Sequence, residues 1–228
     1  MKEIDFFNFE DKDRDIPIYN NNPKVSIKGW ILLFIALFIG SIFVFAANSI
    51  RSAIISCIVL LVPVLYVLKW DYKLILRKPT AKEILLAIGL FVGYVIYTVI
   101  VFKLIGVPMF SRMGSESLMS LPPLVFSLMS EELIKFIPFV FFMRIFFKFS
   151  NNRKLSIILS VILVLIFFAY MHTLNIILLI SAMFIQGFGS VFEFIGYIKT
   201  KNLWVPYITH LCTDVFFITL AIYGINLV

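Results

Sequence analysis

The chain has 228 residues, of which 61% are hydrophobic and only 14% are charged, and it carries a formal net charge of +7. Soluble globular domains contain about 25% charged residues, so this composition excludes an ordinary soluble domain. The chain is therefore predicted to be an integral membrane protein.

Apolar segments follow one another along the sequence, and their lengths indicate membrane-spanning helices, although the second segment is short. There are seven of them, at residues 30–48, 53–68, 84–106, 122–147, 155–172, 174–198 and 203–226. The predicted fold class is all-α, a polytopic membrane helix bundle of about seven transmembrane helices.

Lysine and arginine residues are concentrated in alternate loops. They precede the first segment and fill the loops at 69–83, 144–154 and 199–202, whereas the intervening loops hold only Arg51 and Arg112. By the positive-inside rule, this alternation predicts a cytoplasmic N-terminus and a C-terminus outside. Attraction of these loops to anionic lipid accounts for the net charge, so no nucleic-acid partner is predicted.

Residues 1–29 are predicted to form a cytoplasmic N-terminal arm. This stretch contains the charged sequence "EDKDRD" and the turn-rich sequence "YNNNPK", which are typical of a solvated segment. Residues 30–228 are predicted to form a single membrane domain, because no repeat divides them. The expected location is a cell membrane, crossed several times, and specifically the bacterial cytoplasmic membrane.

The fourth segment carries charges near its middle, in "SEELIKF". Three of them, Glu131, Glu132 and Lys135, together with Asp214 in the last segment, would cost on the order of 10 kcal/mol if unpaired. Adjacent residues of a helix diverge by about 100°, so the two glutamates face different directions. One of them can pair with Lys135 one turn away, while the other faces elsewhere.

Both histidines of the chain also fall in membrane segments. His210 and Asp214 are separated by four residues and share a helix face, and His172 closes the fifth segment. A carboxylate can act as a general base toward water, and an imidazole can stabilise an oxyanion or protonate a leaving amine. The same groups can hold Zn²⁺ with an open position for water, so a metal remains an alternative, although the HExxH spacing is absent.

Other charged residues near the membrane segments have a structural interpretation. Glu193 lies about one turn from the inner boundary, where it is expected to approach Lys199 and Lys201. Arg144 and Lys148 lie near a segment end, where long side chains extend toward the interface.

Three stretches resemble the motifs of the CAAX protease and bacteriocin-processing (CPBP) family of intramembrane proteases. They are "EELIKF", "FAYMH" and "GSVFEFIGYIKTKNLWVPYITHLCTD". In the last stretch the residues that match the family pattern in register are Thr200, Leu203, Trp204, Pro206, Ile208, His210 and Asp214. The resemblance covers about 131–214, which makes 122–226 the CPBP-like core and 30–106 a set of accessory helices.

The resemblance implies a role for each matched residue. Glu131 would be the catalytic base that activates water, and Glu132 its supporting neighbour. His172 and His210 would stabilise the oxyanion and position the water, with Asp214 assisting. The family is regarded as glutamate-dependent and a metal role is debated, so no cofactor is implied with certainty and zinc remains possible.

Two positions depart from the family pattern. The first motif usually reads EExxxR, which would place Arg where this chain has Phe136, and Lys135 stands one residue earlier. This spacing is similar to the EExxK of a sister branch that cleaves anti-sigma factors, but that branch usually has Glu in place of His172. Many members also have Asn where this chain has Asp214.

Three functions remain open at this point. The first is an intramembrane endopeptidase that cuts a membrane peptide or protein in peptide maturation, peptide signalling or bacteriocin immunity. The second is a non-catalytic scaffold that retains the CPBP fold and binds a membrane protein partner, which the shifted Lys135 favours. The third is a small transporter that uses Glu131 and Asp214 as proton-coupled sites, although no inverted repeat is evident.

Overall fold

The computed structural model describes residues 14–46, 49–105, 118–173 and 175–225. These parts of the chain form helices and contain no strand, so the predicted all-α class is confirmed. The α-helices are α1 (Ile27–Ala46), α2 (Ile50–Val67), α3 (Ala81–Ile105), α4 (Leu121–Ser150), α5 (Arg153–His172), α6 (Ile176–Ala182), α7 (Val191–Thr200) and α8 (Trp204–Ile222).

Six stretches of the described chain are long and apolar enough to cross a membrane. They are Ile27–Val44, Ile50–Val67, Ala81–Leu104, Arg153–His172, Leu178–Thr200 and Trp204–Ile222. Helix α4 has 30 residues, or about 45 Å, and is also long enough to span, but its charged residues keep it out of that set. The prediction of a bundle of about seven helices is thus confirmed, while the orientation of the termini stays a prediction.

The sixth predicted segment, 174–198, is not one continuous helix. Helix α6 gives way to a π-helical turn at Met183–Gly187 and a 3₁₀ turn at Phe188–Ser190 before α7 begins. Such a turn breaks the regular i to i+4 hydrogen bonding and frees backbone carbonyls. Two tyrosines of α3 satisfy these groups, since Tyr94 Oη donates to Ile185 O at 3.0 Å and Tyr97 Oη donates to Phe184 O at 2.7 Å.

Part of the stretch at residues 14–26 packs against the bundle, so a fully solvated arm does not describe it, while residues 1–13 of the predicted arm lie outside the described residues. Ile16, Ile18 and Tyr19 are at most 4% exposed, and the Tyr19 ring meets the Phe147 ring edge-on at 5.1 Å. Asp15 fixes this stretch by accepting hydrogen bonds from the Tyr19 hydroxyl at 2.6 Å and from the Arg153 guanidinium at 2.7 Å. The apolar residues within this polar sequence therefore belong to the core.

Helix α4 lies at the centre of the bundle, against α1, α2, α5 and α8. Nearly all of its residues between 128 and 140 are buried, including its charged residues Glu132 and Lys135. By contrast, α1 and α3 expose large apolar side chains such as Phe38 and Leu85, as expected for surfaces that face lipid. The central position of α4 brings its charges against α7 and α8.

The turn between α7 and α8 is held in place by hydrogen bonds to the loop that precedes α3. The Asn202 side-chain amide donates to Arg77 O at 3.0 Å, and Leu203 N donates to Ile75 O at 2.7 Å. The Arg77 guanidinium in turn binds the Glu83 carboxylate with both of its terminal nitrogens. These bonds fix the angle between α7 and α8, from which two of the buried ionisable residues project.

Candidate active site

Helices α4 and α7 meet at a buried ion pair network. Lys135 Nζ donates to Glu132 Oε1 at 2.6 Å and also forms a short hydrogen bond to Glu193 Oε2. The side chains of all three residues are at most 3% exposed. The pairing of one α4 glutamate with Lys135, expected from their spacing, is therefore present, and the partner is Glu132.

Helix α8 adds His210 to this network. His210 Nδ1 lies 2.8 Å from Glu132 Oε1, so the imidazole donates to the oxygen that also accepts from Lys135. His210 Nε2 points the other way and lies 3.8 Å from Asp214 Oδ1, beyond direct hydrogen-bond range. Asp214 is more open, with 34% of its side chain exposed. The imidazole thus lies between the buried carboxylate, to which it is bonded, and the more accessible one.

Glu131 faces a different direction from Glu132, as the helix geometry requires. It is half-buried, whereas Glu132 is 3% exposed. Within the described residues, its carboxylate has neither a hydrogen bond nor an ion pair, although it lies within electrostatic range of His210, Asp214, Lys135 and Glu132. Glu131 therefore lacks a direct counter-ion among the described residues.

His172 is joined to the network through Phe168, one turn earlier on α5. Its Nδ1 lies 2.8 Å from Phe168 O, and its ring meets the Phe168 ring edge-on at 4.6 Å. The Lys135 ammonium lies 4.8 Å from the centre of that same phenyl ring. Because a backbone carbonyl of the same helix accepts at Nδ1, the orientation of the His172 ring is fixed.

Glu193 was predicted to approach Lys199 and Lys201, and the structure gives it a different partner on another helix. The residue is 2% exposed and binds Lys135 on α4. Its carboxylate also lies 3.8 Å from His210 Nδ1. The available sequence signal was the carboxylate itself, because an acidic residue within an apolar run needs a buried partner.

Phe136, which stands where the family pattern places Arg, takes no part in the network. It is 2% exposed and packs edge-on against the Tyr197 ring at 5.6 Å. Lys135 provides the positive charge next to the glutamates instead.

A metal ion was an open alternative, and one group of side chains has suitable ligand atoms. Glu132, Glu193 and His210 each offer one atom, and these atoms lie within 4.8 Å of one another. However, the Lys135 ammonium is already bound to both carboxylates. The residues therefore do not fit a metal ion while Lys135 keeps this position, because two cations cannot share it.

Comparison with known proteins identifies the part of the chain that holds this site. The family model "Type II CAAX prenyl endopeptidase Rce1-like" matches residues 115–216, which include all the residues of the network. No curated protein and no solved structure gives a significant match to the chain. The match supports a multi-pass membrane protein of the intramembrane protease kind, whose substrate is a membrane peptide or protein. The match at residues 115–216 is to a model of the CAAX protease and bacteriocin-processing family, which confirms the resemblance seen in the sequence motifs.

Proposed function

We propose that this protein is an endopeptidase that hydrolyses a hydrophobic or membrane-bound peptide with a water molecule activated by Glu131. The observation that carries the proposal is the difference between the two adjacent glutamates. Glu132 accepts hydrogen bonds from Lys135 and His210, whereas Glu131 has no such partner among the described residues. A general base needs a carboxylate that is free to take a proton, and Glu131 meets that condition.

The reaction requires one proton to move twice. Glu131 takes a proton from water as the oxygen attacks the peptide carbonyl carbon, and the carbonyl oxygen becomes an oxyanion. When the tetrahedral intermediate collapses, the C–N bond breaks and the proton passes to the departing amine. A carboxylate in a site sheltered from water is suited to both transfers.

In their protonated form the imidazoles provide hydrogen-bond donors for the oxyanion, because Nδ1 of each ring already donates and only an imidazolium carries a second N–H at Nε2. The Nε2 atom of His210 faces the side where Asp214 lies, and Nδ1 is anchored on Glu132, so the ring orientation is fixed. His172 is held in the same way through its bond to Phe168 O. Donors that are oriented before the reaction stabilise developing negative charge most effectively. Glu132 then acts by positioning His210, and Asp214 acts through its negative charge near Nε2.

The experiment compares membrane and secreted peptides from cells that contain wild type, Glu131→Gln, His210→Ala or the control Asp71→Asn. Asp71 is exposed in the loop before α3, so its substitution removes a carboxylate outside the bundle. All four proteins must be present at equal abundance. We expect cleavage products in the wild type and the control that are absent from both site variants.

An unchanged peptide profile in both site variants would contradict the proposal. If a phenotype that requires the protein also tolerated both substitutions, the family fold would be serving as a scaffold. The buried network would then be an element of stability alone.

A further inference from the structure

We infer that Lys135 is the resident cation of this site and that Glu193 is the positioning residue that holds it away from Glu131. The inference deepens the proposed function, on which its catalytic consequence rests. The other part of the inference, that the lysine ammonium takes the place of a metal ion, depends only on the observed contacts.

The first step concerns the place that the ammonium occupies. Lys135 Nζ contacts carboxylate oxygens of Glu132 and Glu193, which belong to two different helices. These carboxylates and His210 are also the group whose ligand atoms lie within 4.8 Å of one another. Carboxylate oxygens and imidazole nitrogens are ligand types that zinc takes in proteins. The ammonium therefore lies where these residues would otherwise hold a divalent cation.

The second step concerns charge. With a neutral His210 the two carboxylates and Lys135 sum to −1, and with a charged imidazole they sum to zero. A divalent ion added beside the ammonium would carry two more charges into a region where the side chains are at most 10% exposed. A metal can enter only if the lysine leaves.

The third step concerns the two glutamates of α4 with which Lys135 can pair. It is three residues from Glu132 and four residues from Glu131, and both spacings allow an ion pair. The structure shows the pair with Glu132, and the second ion pair of Lys135 is with Glu193 on α7. Glu193 thereby keeps the ammonium from pairing directly with Glu131, the proposed base.

The metal test uses the full-length protein in lipid nanodiscs. The protein is treated with EDTA, exposed to Zn²⁺ and freed of unbound metal before the zinc content is measured. We expect no bound equivalent in the wild type or in Lys148→Met, which removes an exposed lysine from the same helix. Lys135→Met should bind one equivalent, and Lys135→Met/Glu193→Gln should lose it.

The zinc content of the wild type tests the inference even if Lys135→Met does not fold. A zinc equivalent in the wild type that Glu193→Gln removes would overturn the inference. Cleavage that a chelator abolishes and zinc restores would overturn it as well. A wild type that neither binds zinc nor cleaves any peptide would contradict the proposed function but would leave the assignment of Lys135 as the resident cation in place.

The positioning role of Glu193 is tested by steady-state kinetics on a peptide identified by the comparison of cell peptides. We expect Glu193→Gln to lower kcat by about 100-fold, the lower range for loss of a general base, with little change in KM. Glu193→Asp, which keeps the charge, should restore most of the lost kcat. Equal kcat values for Glu193→Gln and the wild type, or no recovery with Asp, would overturn the role.

Discussion

Lys135 illustrates, at the scale of a single residue, how a charge is accommodated inside the bundle. Its side chain is 3% exposed, and its ammonium contacts two carboxylates and the face of the Phe168 ring. The desolvation of such a group is offset only when its hydrogen-bonding capacity is satisfied. Removing the lysine leaves two buried carboxylates without their shared counter-ion, which costs more than the loss of the lysine itself.

We therefore predict that Lys135→Met lowers the free energy of unfolding by about 3–5 kcal/mol, the typical cost of breaking a buried ion pair from one side. Lys148→Met, at the exposed end of the same helix, should change it by less than about 0.5 kcal/mol. Denaturant unfolding in detergent micelles measures both values. Equal stabilities for the two variants would mean that the network does not stabilise the fold.

The sequence predicted part of this network. The pair of Glu132 and Lys135 follows from helical spacing, because residues three positions apart lie on the same face. His210 was found as an ionisable residue in an apolar segment. The contact with Glu193 was missed, because a partner on another helix depends on how α4 packs against α7, and neither spacing nor charge in the sequence reveals that packing.

At the scale of the element, the interrupted helix between α6 and α7 determines where Glu193 lies. Its π and 3₁₀ turns shift the phase of α7 relative to α6, and Tyr94 and Tyr97 of α3 bind the carbonyls that the π turn frees. The sequence predicted a single segment there, since an apolar run indicates the length of a helix but not its regularity. The hydrogen-bond partners of the turn lie about 90 residues earlier in the chain, so no local pattern could have revealed them.

Gly187 ends the π turn at a close approach to α5. A Cβ atom at this position would lie 2.9 Å from Leu165 O and 3.0 Å from Ala169 Cβ. We predict that Gly187→Ala separates the two helices, lowers stability by about 1–3 kcal/mol and reduces peptide cleavage, because α7 carries Glu193. Gly89→Ala is the control, since no atom lies within 4 Å of its added Cβ. Thermal unfolding and cleavage rates measure the two effects.

A loss of stability without a loss of cleavage in Gly187→Ala would show that α7 keeps its place when α5 moves. Gly89→Ala should be neutral or slightly stabilising, because alanine favours a helix interior by about 1 kcal/mol over glycine.

At the scale of the whole molecule, the cation-rich segments make contact in two pairs. Arg144 and Arg153, at the end of α4 and the start of α5, bind the stretch before α1, and the loop before α3 binds the turn between α7 and α8. Segments that touch in this way lie at the same end of the bundle. The alternation of positive loops in the sequence predicts the same grouping.

The stretch before α1 is expected to stabilise this end of the molecule through Asp15. Its carboxylate accepts from Tyr19, Arg153 and its neighbour Ile16, so Asp15→Ala removes the hydrogen bonds to all three partners. We predict faster amide hydrogen exchange over residues 16–25, with a loss of local stability of about 1–3 kcal/mol, the range for bonds to a charged group. Burial and the bond to Asp15 raise the pKa of Tyr19 to about 12.

That pKa shift gives the prediction a second readout. The raised value means that the folded state holds its proton more tightly than the unfolded state, so the stabilisation is complete below pH 10 and is lost as the pH rises toward 12. Amide hydrogen exchange over residues 16–25 should therefore accelerate between pH 10 and pH 12 in the wild type but not in Tyr19→Phe. Equal acceleration in both proteins would assign the effect to other groups.

The orientation of the bundle is the remaining prediction, because it decides from which side a soluble part of the substrate is approached. Helix α2 separates Arg51, at its start, from Lys73, beyond its end, and both are exposed. With a cytoplasmic N-terminus, Arg51 lies outside and Lys73 inside. We expect a membrane-impermeant maleimide to label Arg51→Cys in intact cells and Lys73→Cys only after lysis, in a background in which Cys57 and Cys212 are replaced by Ser. The opposite pattern would place the positive end outside, against the rule that lysine and arginine remain in the cytoplasm.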